Sequence, residues 1–144
     1  IGVAGYPEKH FEAPNMESDL RYLKAKVDAG ADYIVTQMFF DNKKYFAFVK
    51  ACRDMGIEVP IIPGLKPIYT KKQLTTLPKT FHIDLPSDLS EAIQHCKTDD
   101  EVEKVGTEWL LQQSVELKKA GVPVLHYYTL GRPHIVANVV KDLV

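Results

Sequence analysis

The sequence predicts an α/β fold of parallel strand–helix–strand units, in one domain over residues 1–144. Three observations predict it. Short apolar runs alternate with amphipathic stretches of helical period. Several of those stretches end on a glycine, followed by a short turn into the next apolar run. The apolar runs are nearly continuous, as strands covered on both faces require. About four such units fit either a small open sheet or half of an eight-stranded barrel.

Taken in order, Ile1–Tyr6 is the first expected strand, followed by a loop over Pro7–Met16. A helix from Glu17 to Ala29 places Leu20, Leu23 and Val27 on one face and ends at Gly30. The second strand is Tyr33–Phe39, after which Asp41 caps a helix presenting Tyr45, Phe48, Val49, Cys52 and Met55 and stopping at Gly56. Val59–Leu65 is the third strand, with its prolines tolerated near strand ends. A short helix over Lys71–Leu77 and another opened by Ser87 follow. A long helix over Asp100–Ala120 has capping-box spacing between Asp100 and Glu103 and ends at Gly121. Val124–Leu130 is the fourth strand, and Pro133 sits in the first turn of a final helix.

Composition excludes several function classes. Eighteen basic against 19 acidic residues give a net charge of −1, without the basic excess that a nucleic-acid surface needs. No apolar run approaches the roughly 20 residues of a membrane helix, and no signal-peptide pattern opens the chain. Cys52 and Cys96 have neither metal-ligand spacing nor the numbers for a disulfide framework. A reducing, cytoplasmic location is therefore expected. His82, His95, His126 and His134 show no ligand spacing, so no metal site is expected. The chain starts inside an apolar run at Ile1, from which further residues are expected on its N-terminal side.

In parallel α/β folds, ligands gather at the carboxyl ends of strands. The four strands deliver Tyr6-Pro7-Glu8-Lys9-His10, Thr36-Gln37, Gly64-Leu65-Lys66-Pro67 and Tyr128-Thr129-Leu130-Gly131-Arg132 to that end. Gln37 stands out as a primary amide in a greasy run. It either bonds neighbouring backbone or presents donors and an acceptor to an uncharged heterocycle. Tyr6 and His10 flank a proline where they could stack on a planar ligand. Asp19 and Lys26 lie two helical turns apart on one face, a spacing that by itself fits a solvated helix flank. Lys71 and Lys72 read as solvated, and Trp109 and Phe48 as packing. There is no Gly-rich phosphate loop, no nucleophile elbow and no pair of strand-end carboxylates.

The run Tyr6-Pro7-Glu8-Lys9-His10-Phe11-Glu12-Ala13 resembles the Y-P-E-x-H-x-E-A segment of methylenetetrahydrofolate reductases. Collinear matches follow at Asp19-Leu20, Leu23-Lys24, Lys26-Val27, Ala29–Asp32, Thr36–Asp41, Pro63-Gly64, Pro67-Ile68 and His126–Arg132, so the resemblance spans essentially the whole chain. It implies the second half of a TIM barrel that holds FAD at its mouth, with NAD(P)H as co-substrate. The implied reaction is reduction of methylenetetrahydrofolate to methyltetrahydrofolate, in one-carbon and methionine metabolism. By motif, Tyr6, His10, Ala13, Asp19 and Lys26 resemble FAD contacts, with Lys26 opposite a phosphate. Gln37 resembles the glutamine shared by folate and nicotinamide. Gln73 and Arg132 resemble residues that hold the folate side chain and its carboxylates, and Tyr128 lies on the same strand face as His126.

Gly131 stands where the family often has Asn, and Leu77 where some members stack a Phe. The family's catalytic glutamate belongs to a region outside this chain, so no catalytic residue is assigned and the isolated chain is expected to be inactive. The alternative is a non-catalytic, self-associating half-barrel module, and a weaker third reading is another barrel enzyme of pterin metabolism. Open strand edges, with Val3, Ile34, Ile61 and Leu125 on an uncovered inner face, predict a homo-oligomer, most simply a two-fold dimer.

Overall fold

The computed structural model describes residues 1–144 as a mixed α/β chain of parallel strands and six helices. The strands are β1 (Gly2–Gly5), β2 (Tyr33–Thr36), β3 (Ile61–Ile62), β4 (Gly64–Leu65) and β5 (His126–Tyr127). The helices are α1 (Met16–Asp28), α2 (Asn42–Asp54), α3 (Gln73–Phe81), α4 (Ser87–Gln94), α5 (Asp99–Lys119) and α6 (Pro133–Leu143). One sheet runs β1-β2-β3 and a second pairs β4 with β5, all parallel.

The expected third strand is thus two pieces split at Pro63, each paired with a different neighbour. Proline has no N–H to give a ladder. Past it, the Gly64 N–H turns to the Thr36 side chain, donating to Oγ1 at 2.9 Å, while the Pro63 carbonyl accepts from the His126 N–H. Register follows from hydrophobic matching: Val3, Ile34 and Ile61 lie side by side. The second and fourth strands are shorter than the apolar runs that signalled them. Met38, Phe39 and Phe40 continue past β2 as irregular buried chain, and Val124 and Leu130 are exposed.

Helix ends follow local chemistry. Gly30, at φ 113°, closes α1, with its N–H on the Val27 carbonyl and the Ala31 N–H on the Lys26 carbonyl. Those two bonds form a Schellman motif, and Gly56 and Gly121 repeat it after α2 and α5. Asp41 caps α2 through the Lys43 N–H, as expected. Two capping expectations are corrected. Ser87 is the first residue of α4 rather than its cap, which is Pro86. The cap of α5 is Thr98, whose side chain accepts from the Glu101 N–H, not Asp100 with Glu103. A β-region φ/ψ at Thr98 brings its oxygen to the orphan N–H groups, whereas Asp100 already lies within the helix.

The main core packs β2 and β3 against α1, α2 and α5, with Leu20, Leu23, Ile34, Phe48, Cys52, Ile61, Leu110 and Leu117 buried together. This corrects the expected inner face. Ile34 and Ile61 belong to the helix-side core, and Val3 and Leu125 pack against it. The alternation of strand side chains puts Ala4, Val35 and Ile62 on the opposite face, where Ala4 is exposed and the other two are half-buried. A second cluster gathers Met38, Phe40, Ile68, Leu77, Leu89, Ile93 and Val102 beneath α3, α4 and α5. Both cysteines are free and buried, and no helix is long and apolar enough to cross a membrane.

Candidate functional site at the strand carboxyl ends

The loop leaving β1 is tied down by its own charges. Lys9 takes a left-handed φ of 76°, and its Nζ donates to the carbonyls of His10 (2.9 Å) and Ala13 (2.6 Å). The His10 N–H donates to Asp19 Oδ2 at 2.9 Å, joining the loop to the first turn of α1. The Tyr6 and His10 rings meet edge-on with centroids 4.7 Å apart. Tyr6, Asp19 and Lys26 line one small cleft of about 20 Å³, with Lys26 solvent-exposed above it. Four of the five residues expected to contact FAD therefore lie together, and the fifth, Ala13, is held next to them by Lys9.

Sequence reasoning missed the anchor of this loop. Glu8 is nearly buried, and its Oε1 accepts from Lys44 Nζ (2.7 Å) and the Asp84 N–H (3.0 Å). Its Oε2 is buried without a partner. Burial opposes charge on Lys44, but its bonds to Asp84 and Glu8 outweigh that and raise its pKa. These partners lie 36 and 76 residues away in sequence, so no local pattern signals them.

Gln37 extends the β1–β2 pairing, its N–H donating to the Gly5 carbonyl at 2.8 Å. Its side-chain oxygen accepts from the Met38 N–H at 2.9 Å. The neighbouring-backbone reading of the amide is thus half met, while Nε2 makes no bond within the chain. Gln37 and Tyr6 line a shared crevice with Lys9 and His82. Beside it, the Tyr128 hydroxyl donates to the Thr36 carbonyl at 2.8 Å, and its ring covers Gly64 so closely that a Cβ there would come within 2.7 Å. Burial raises the Tyr128 pKa, so the phenol stays protonated as a donor. Thr36 is fully buried and, through its two oxygens, joins β2 to Gly64 of β4 and to Tyr128 just past β5, a role visible only once the strands are paired.

A second group forms around Tyr69. Gln73 is buried, and its Oε1 accepts from the N–H groups of Tyr69 (2.8 Å) and Thr70 (3.2 Å), pinning the loop after β4. The Arg132 guanidinium lies 4.5 Å from the Tyr69 ring centroid and 3.5 Å from Glu103, whose other oxygen faces His134 at 3.4 Å. Lys66 Nζ lies 4.7 Å from the same ring. Gln73 and Arg132, which sequence reasoning paired, thus meet through Tyr69, which it did not single out. Lys71 and Lys72 are exposed, as expected, and Trp109 packs with its indole N–H on the Phe40 carbonyl. Leu77 is buried in the second cluster.

Parallel α/β topology brings aromatic, amide and cationic groups together at the carboxyl ends of the strands. The family is specific: a model described as methylenetetrahydrofolate reductase matches residues 1–144, and the chain belongs to that family. It is 39% identical over 145 residues to a probable methylenetetrahydrofolate reductase (NADPH) of Caenorhabditis elegans, covering 99% of this chain and 22% of that protein. It is 40% identical over 153 residues to methylenetetrahydrofolate reductase (NADH) 1 of Arabidopsis thaliana, covering 99% of this chain and 26% of that one. To 5,10-methylenetetrahydrofolate reductase of Salmonella typhimurium it is 40% identical over 133 residues, 92% of this chain and 45% of that protein. The chain thus spans less than half the length of these relatives. Among solved structures, a Clostridium thermocellum protein described as binding two copies of 5-methyl-5,6,7,8-tetrahydrofolic acid shares the fold. Its TM-score is 0.62 at 19% identity, over 99% of this chain and 52% of that one.

Proposed function

We propose that this chain is the C-terminal half of a methylenetetrahydrofolate reductase TIM barrel, contributing one side of a site that binds FAD, NAD(P)H and folate in a cytoplasmic, flavin-dependent oxidoreductase of methionine metabolism. The observation that carries the reading is the meeting of Tyr6, His10, Asp19 and Lys26 at one end of the sheet, in a chain matched throughout by the family model. These residues fit a dinucleotide. Lys26 offers an exposed cation for a phosphate, Asp19 keeps one carboxylate oxygen for a hydroxyl, and Tyr6 with His10 forms an aromatic edge. FAD, when bound, supplies the hydride-carrying chemistry.

The chain's own residues orient and exclude. Gln37, with its oxygen fixed on Met38, presents Nε2 as a donor to folate pterin or nicotinamide in turn. Tyr128 closes the strand end beside it. Arg132, braced on Tyr69 and within a loop's reach of Gln73, receives the folate carboxylates through its planar fork. By the family resemblance the proton-donating glutamate belongs to a region outside this chain, so the isolated chain should give no turnover. The test is Gln37→Ala in the full-length enzyme. Both half-reactions should slow about 5–150-fold, the worth of one good hydrogen bond of roughly 1–3 kcal/mol. Slowing of the folate half-reaction alone would refute the shared contact.

A further inference from the structure

Lys66 is the most buried charged residue in the chain, 1% exposed, at the carboxyl end of β4. Its neighbour Leu65 packs in the helix-side core. Strand alternation sends the Lys66 side chain to the other face of the sheet. There its ammonium makes one hydrogen bond, 2.8 Å to the Pro67 carbonyl, and lies 4.7 Å from the Tyr69 ring centroid. No carboxylate lies within 4.0 Å of it. A buried, unpaired ammonium is a poor core residue, since an apolar side chain of similar length would pack there at no desolvation cost. Burial accordingly pulls its pKa down to about 8.

The segment after Lys66 is fixed on both sides. Gln73 Oε1 holds the Tyr69 and Thr70 N–H groups, and Gly106 of α5 packs directly on the Ile68 backbone. What remains to be set is the orientation of the Tyr69 ring, and two cations attend it: Lys66 at 4.7 Å and Arg132 at 4.5 Å. The Arg132 guanidinium donates no hydrogen bond within the chain and has only a 3.5 Å contact to Glu103, so the ring is its main support.

We propose that Lys66 is a positioning residue of the anion subsite. Its ammonium holds the Tyr69 ring as the platform for Arg132, and so sets affinity for the carboxylate-bearing end of the ligand. The proposal rests on the reading of Arg132 as the residue that receives the folate carboxylates. Lys66 itself lies beneath the surface.

The experiment measures, in the full-length enzyme, dissociation constants for methyltetrahydrofolate and for a reduced pterin that lacks the aminobenzoylglutamate tail. Lys66→Met should weaken methyltetrahydrofolate about 3- to 30-fold, the range of a desolvated cation–π contact. It should leave the affinity for the tail-less pterin and the KM for NAD(P)H unchanged, and Lys66→Arg should restore most of the affinity for methyltetrahydrofolate. Unchanged tail affinity in Lys66→Met, or an equal loss for both ligands, overturns the proposal. Should Lys66→Met fail to fold, Tyr69→Leu serves instead: a tail-selective loss supports the platform and an unselective one overturns it. Arg132→Ala separates the two layers. If that variant keeps full tail affinity, the reading of Arg132 fails and the proposal with it. If it loses tail affinity while Lys66→Met does not, only the role of Lys66 falls.

Discussion

Gly106→Ala should destabilise the protein, although the same change in a solvated helix would stabilise it. Gly106 is buried inside α5. In an exposed helix interior, alanine is better than glycine by about 1 kcal/mol. Here a Cβ would sit 2.8 Å from the Ile68 carbonyl carbon and 3.1 Å from its nitrogen, and closer still to its oxygen. These are backbone atoms of a segment pinned by Gln73, so no side chain can rotate away. Overpacking of this kind costs roughly 1–3 kcal/mol and more where backbone must shift. The net expectation is a loss of about 2 kcal/mol, or a fall in Tm of roughly 4–10 °C for a domain of this size. Thermal and urea unfolding followed by circular dichroism would read it. An alanine variant as stable as the parent would refute the close approach of α5 to the loop that carries Tyr69.

Lys66 and the open sheet give the remaining predictions. Lys66 titrates at about 8 in the fold against an ordinary 10.5. Between those values the unfolded chain holds a proton that the folded chain lacks, so this group adds stability as pH rises. Lys66→Met should therefore be more stable than the parent below pH 8, with the difference shrinking by roughly 1–3 kcal/mol toward pH 10.5; a difference independent of pH would mean that the ammonium is not desolvated. The isolated chain leaves β1 and β5 as edges and Ala4, Val35 and Ile62 on a face without a covering layer. It should sediment as a dimer at micromolar concentration, and a well-behaved monomer would contradict this.

Most helix positions were legible because periodicity and capping are local, although α3 runs over Gln73–Phe81 rather than the expected Lys71–Leu77. Leu20, Leu23 and Val27, the Asp41 cap and the glycine that ends α1 all stand where those signals put them. The face of each strand was not legible. A nearly continuous apolar strand reads the same from both sides, so Ile34 and Ile61 carried no mark of facing the helices. Nor did spacing reveal the split at Pro63, because it depends on Thr36 replacing a ladder bond from a strand 28 residues away. In the candidate site, motif residues such as Tyr6, His10 and Asp19 were found by resemblance and do lie together. Glu8, Tyr69 and Lys66 were assigned no role, since their partners are set by tertiary packing. Asp19 and Lys26 show the limit of spacing alone: it favoured a solvated flank, and only the motif pointed to a ligand.

The most direct test of the account is an anaerobic flavin titration of the full-length protein beside the isolated 144-residue chain. The account predicts that the full-length protein purifies with FAD, that NAD(P)H bleaches its flavin, and that methylenetetrahydrofolate restores the colour. The isolated chain should give no turnover. Reduced flavin that methylenetetrahydrofolate fails to reoxidise, or full turnover by the isolated chain, would contradict it.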